Sequence, residues 1–138
     1  MVRDIISDSQ LIGQLYDMKA AEGFSFPTPD RATFQIGYGV IKFDKNFVPH
    51  IHKQVERIIY TTSEFLYVIS GEMTISIYDE KEKFVDKIVL HENMGLMQFI
   101  GGHDIQIKRD TRYFEIKQGP YLGRNVDKYN LASEGDRQ

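Results

Sequence analysis

Hydrophobic and polar positions alternate along most of this chain with a period of two, the signature of strands with one buried face. Phe34, Ile36, Tyr38 and Val40 alternate with Gln35, Gly37 and Gly39, which predicts a strand over 34–40. Further strands are expected at 64–70, 73–78, 85–90, 95–100, 103–108 and 113–117, separated by turns such as Ser70-Gly71-Glu72 and Ile100-Gly101-Gly102. One stretch reads differently. Leu11, Leu15 and Met18 recur at spacings of four and three behind a capping Asp8 or Ser9, which predicts a short N-terminal helix over 8–21. Gly23 would end it, and Pro27 and Pro29 would make the following stretch extended. Short strands at this spacing predict an all-β sandwich or jelly roll.

At 138 residues the chain is expected to be one domain, 1–138, with its core over 31–118 and a polar tail over 121–138. Its 41% hydrophobic and 27% charged content is that of a globular protein. A net charge of −3 and the absence of a Lys/Arg run argue against nucleic acid as a partner. No apolar run is long enough to span a bilayer, and there is no secretory signal pattern. With no cysteine, thiolate–metal sites and cysteine nucleophiles are excluded, and a reducing cytoplasmic setting is the expectation.

Four histidines carry the chemistry of interest. In His50-Ile51-His52 the two imidazoles fall on one face of an extended segment, the start of a site for a divalent transition metal such as Zn, Fe, Ni or Mn. Glu64 opens an otherwise apolar strand and shares the face of Leu66 and Val68, where a carboxylate needs a partner. His103 opens another strand, on the face of Ile105 and Ile107. His91 sits in a polar turn and reads as a surface residue. Glu56 and Arg57 read as a solvated pair, with a place at a pocket mouth as the sharper alternative. Gln35 and Tyr38 are further pocket candidates. Tyr113, Glu115 and Lys117 read as a polar outer face.

These residues resemble the metal-binding motifs of the cupin family. His50-Ile51-His52 matches the first histidine pair, Glu64 through Gly71 matches the Glu-to-Gly half with its spacing of six, and His103 falls where the second-motif histidine lies. The resemblance covers about residues 34–118. It implies a double-stranded β-helix, the cupin jelly roll, with His50, His52, Glu64 and His103 as metal ligands. Eleven residues separate His52 from Glu64 where the family has three or four. Glu56 meets the shorter spacing but is followed at the glycine slot by Ser63, so either Glu64 or Glu56 is the acidic ligand. Gln98, Ile100 and Ile107 replace the Pro, Gly and Asn of the second motif. Glu115-Ile116-Lys117-Gln118-Gly119-Pro120-Tyr121 resembles small bacterial cupins of surface-polysaccharide sugar metabolism.

The implied function is a metal-dependent isomerase or epimerase acting on a small carbohydrate or nucleotide sugar. An iron-dependent dioxygenase and a non-enzymatic sugar-binding protein are the alternatives. A homodimer is expected, because Phe65, Tyr67 and Ile69 form an apolar face opposite Glu64.

Overall fold

A computed structural model of the protein describes residues 1–131; the end of the expected polar tail, 132–138, lies outside the described residues. Among the described residues there are eight strands: β1 (Val2–Ser7), β2 (Gln10–Asp17), β3 (Glu64–Ser70), β4 (Glu72–Tyr78), β5 (Phe84–His91), β6 (Met94–Gln98), β7 (Gly102–Ile107) and β8 (Arg112–Lys117). Helical structure amounts to a 3₁₀ turn at Met18–Ala20 and a single turn of helix, α1 (Arg124–Asp127). None of the described helices is long and apolar enough to cross a membrane. The protein is all-β.

The strands form two antiparallel sheets, one ordered β1-β2-β6-β3-β8 and the other β5-β4-β7. They are not closed into a barrel: β8 ends one sheet and β7 the other, each paired on one side only. Between the sheets lies the main core, in which Ile12, Leu66, Val68, Ile75, Leu90 and Leu96 are almost wholly removed from water. A second cluster, Tyr16, Tyr38, Met97 and Phe99, covers the outer side of β2 and β6.

The helix expected over 8–21 does not form. Residues 2–17 make a hairpin through Asp8 and Ser9, both at positive φ, and β2 pairs with β6 on its other edge. Ile12 and Leu15 enter the main core while Tyr16 enters the second cluster, so β2 is covered on both sides. A strand buried on two faces shows no polar alternation, and its apolar residues then match a helical spacing by accident.

The strand expected over 34–40 is reduced to an isolated bridge between Ser25 and Tyr38. Its alternation still reports burial, since Phe34, Ile36 and Tyr38 pack on the second cluster. The six later strands lie within about two residues of their expected positions.

Candidate functional site

The first residues of β3 and β7 and the last of β8 meet at one end of the sandwich. In the β3–β8 ladder Glu64 stands opposite Lys117, and in the β3–β6 ladder it stands opposite Gln98. Because facing residues in register share a sheet face, Lys117 turns to the same side as Glu64. The two form an ion pair, Nζ to Oε1 at 2.7 Å, with side chains 26% and 15% exposed. That contact, a charge-assisted hydrogen bond from the ammonium to the carboxylate, holds Lys117 above its ordinary pKa.

The other carboxylate oxygen, Oε2, lies 3.4 Å from Nε2 of His103. The opposite ring nitrogen, Nδ1, is 2.7 Å from Oε1 of Gln98. The Gln98 amide is oriented by its own nitrogen, which donates to the carbonyls of Gly102 at 2.9 Å and Ile100 at 3.2 Å. With its NH₂ committed to two acceptors, Gln98 presents only its oxygen to the ring, and Nδ1 is the donor. Nε2 faces the Glu64 carboxylate, a contact that is attractive when the ring carries a proton there as well.

This cluster borders a cavity of about 1020 Å³. Glu64, Gln98, His103 and Lys117 form one wall; Asp104 of β7 and Arg124 of α1 contribute to the rest. Its lining is rich in donors and acceptors, the chemistry that suits a polyhydroxylated or anionic small molecule more than an apolar one.

The other candidates lie elsewhere. His50 and His52 face each other edge to face with ring centroids 5.0 Å apart, on an exposed stretch that has no regular secondary structure. His50 Nδ1 contacts the Val48 carbonyl at 3.1 Å. Glu56 and Arg57 are exposed on the same stretch. Gln35 bonds Thr28 and the Pro29 carbonyl, and the Tyr38 hydroxyl donates to the Asp17 carbonyl at 2.6 Å, beside the second cluster. His91 is exposed and pairs with Glu72 at 3.2 Å.

The four residues expected to hold a metal thus stand as two pairs, His50 with His52 and Glu64 with His103. Among the described residues no group of three or more His, Asp or Glu side chains is arranged to hold an ion. As placed, these donors do not fit a four-ligand centre, and Lys117 already occupies one oxygen of Glu64.

Two contributors to the cluster escape a reading of the sequence. Lys117 was expected on an outer polar face; its pairing with Glu64 sets it on the cavity side. The signal is the register of β8 on β3, which no local pattern carries. Gln98 stands out in the sequence only as a departure from a motif.

Fold and site together define a two-sheet, all-β protein with a polar cavity and a Lys–Glu–His–Gln cluster at its wall. Comparison with protein-family models, curated proteins and solved structures finds no match for this chain.

Proposed function

We propose that the protein is an enzyme of the isomerase or epimerase type that moves a proton on a small carbohydrate-like molecule, free or nucleotide-linked, bound in the cavity. The observation that carries this reading is the position of the His103 ring, with Nδ1 2.7 Å from Gln98 Oε1 and Nε2 3.4 Å from the Glu64 carboxylate at the cavity wall. In such a reaction His103 takes the proton next to a carbonyl carbon, and the resulting imidazolium is stabilised by Glu64. The electron pair moves onto the carbonyl oxygen as an enolate, and Lys117 is the cation at hand to hydrogen-bond that oxygen. Return of the proton to the other carbon, or to the other face, completes an isomerisation or epimerisation.

The resemblance to cupins supports the same substrate class, and the two antiparallel sheets are compatible with an all-β fold of that kind. A divalent metal enters this reading only if His50 and His52 reach Glu64 and His103.

The test is deuterium wash-in. A panel of free and nucleotide-linked keto sugars is incubated with the protein in D₂O and followed by mass spectrometry. At least one should gain solvent deuterium, and His103→Gln should slow the exchange about 10²- to 10⁴-fold. An active sugar whose exchange is untouched by His103→Gln would remove the histidine from the mechanism. No exchange across the panel, with no ligand-induced NMR shift of the His103 ring, would overturn the proposal as a whole.

A further inference from the structure

Between Gly39 and Ser63 the chain leaves the body of the protein. Its two roots are firmly placed. At Gly39, φ is +132°, and an added Cβ would lie 1.7 Å from the Gly23 carbonyl oxygen, so only glycine fits. At Ser63, fully buried, the hydroxyl donates to the Phe99 carbonyl at 3.0 Å and the carbonyl accepts from Gln118 N–H at 2.9 Å. Among the described residues no backbone hydrogen bond ties 40–62 to anything else.

This arm is not polar in the way a free loop is. Nine large apolar residues are exposed on it: Val40, Ile41, Phe43, Phe47, Val48, Ile51, Val55, Ile58 and Tyr60. Phe43 is 101% exposed, Ile51 93% and Tyr60 92%, so they stand almost wholly in water. Leaving so many such side chains in water is unfavourable, because apolar surface gains free energy when it is removed from water.

The same chain carries a matching deficit. β7 and β8 are edge strands of the two sheets, as β1 and β5 are at the other ends, and each is paired on one side only. Ile105 and Ile107 of β7 stand in register with Ile75 and Met73, and Tyr113 of β8 with Val68, so all three belong to the face that packs the core. Yet they are 36%, 50% and 45% exposed.

We propose that residues 40–62 are exchanged between two copies of the chain, each arm lying along the open β7 and β8 edges of the other. Length permits it. Some 23 extended residues reach about 35–40 Å out and back, close to the diameter of a domain of this size. Two-fold symmetry satisfies both deficits at once, because each chain gives an arm and receives one. Within an extended arm His50 and His52 share a face with Val48 and Gln54. With that face turned inward along β7, they approach the partner's Glu64 and His103. This delivery of the histidines rests on the reading of the cavity as the active site; the exchange itself does not.

The test joins mass with isotope-coded cross-linking. Light-scattering mass should be twice the 16.0 kDa of one chain. Unlabelled and ¹⁵N-labelled protein are then denatured together, refolded as a mixture and treated with a lysine-reactive cross-linker. Links from arm lysines Lys45 and Lys53 to Lys108 and Lys117 should be mixed, light to heavy, in about half of the linked pairs. Links that are never mixed would show the arm folding back on its own chain, and a mass of one chain at all concentrations would show no exchange; either overturns the proposal. In a second variant, residues 42–58 are replaced by a short Gly/Ser linker. It should keep its β-sheet circular dichroism and fall to half the mass, since the main core takes no residue from the arm. A variant that folds and stays dimeric overturns the proposal. None of these readouts uses turnover, so failure of the deuterium exchange would sink the acid–base mechanism and leave the exchange standing.

Discussion

Removing either end of the Glu64–Lys117 pair should destabilise the protein by much more than breaking a surface ion pair. Fully exposed pairs contribute about 0–1 kcal/mol, and truncating one partner of a fully buried pair costs about 3–5 kcal/mol. At 15% and 26% side-chain exposure and 2.7 Å, this pair lies between those limits. Two charges about 4 Å apart at an effective dielectric of about 20 attract by about 4 kcal/mol, before desolvation and side-chain ordering are subtracted. A coupling of about 1–3 kcal/mol is left.

The measurement is a double-mutant cycle of Glu64→Gln, Lys117→Met and the double variant, by urea unfolding at one fixed protein concentration. With a denaturant slope of about 2 kcal/mol per M, a 2 kcal/mol effect moves the midpoint by about 1 M. Lys117 has a folded pKa above its ordinary value of 10.5. The stability it contributes is therefore complete below about pH 10.5 and is lost as the pH rises through the folded value, so the cycle belongs at pH 7–9. A coupling below about 0.3 kcal/mol would show the pair to be solvated. The cavity-wall cluster would then have no electrostatic cohesion.

Two other perturbations test separate parts of the fold. Asp79 accepts a hydrogen bond from the Ser7 hydroxyl at 2.7 Å, which holds its carboxyl below the ordinary 3.8. Its contribution is present above that pH and lost as the pH falls through the lower folded value; Ser7→Ala should move this loss to higher pH, seen as earlier acid unfolding by circular dichroism. An unchanged acid transition would remove the contact from the account. At Gly13 of β2 an added Cβ would sit 2.8 Å from the Met97 carbonyl oxygen, so Gly13→Ala should cost about 1–3 kcal/mol by denaturant unfolding. A cost under about 0.5 kcal/mol would mean that β2 and β6 are not in that close contact.

The strands from Glu64 onward were legible where core residues alternate with other types, as Met73, Ile75 and Ile77 alternate with Thr74 and Ser76 on β4, so a period of two survives in the sequence even where both faces are covered. β2 was not legible, because Leu15 and Tyr16 are buried on opposite sides and leave no polar phase to read. Half of the candidate site was likewise visible. Glu64 and His103 stand out as polar residues on apolar faces, and the fold brings them to 3.4 Å. Lys117 and Gln98 join them through strand register, a property of pairs of distant segments that single-segment patterns do not encode. His50 and His52 are the reverse case: the motif is plain in the sequence, and their own chain leaves them on the exposed arm.

The pairing of β2 with β6 also shapes how the molecule can be made. Gln14 is matched with Met97, so β2 leaves the ribosome about 80 residues before its neighbour. At synthesis rates of about 5–20 residues per second that is about 4–16 s, during which Ile12, Leu15 and Tyr16 have only the β1 hairpin for company. Slowing translation between β2 and β6 would lengthen that exposure.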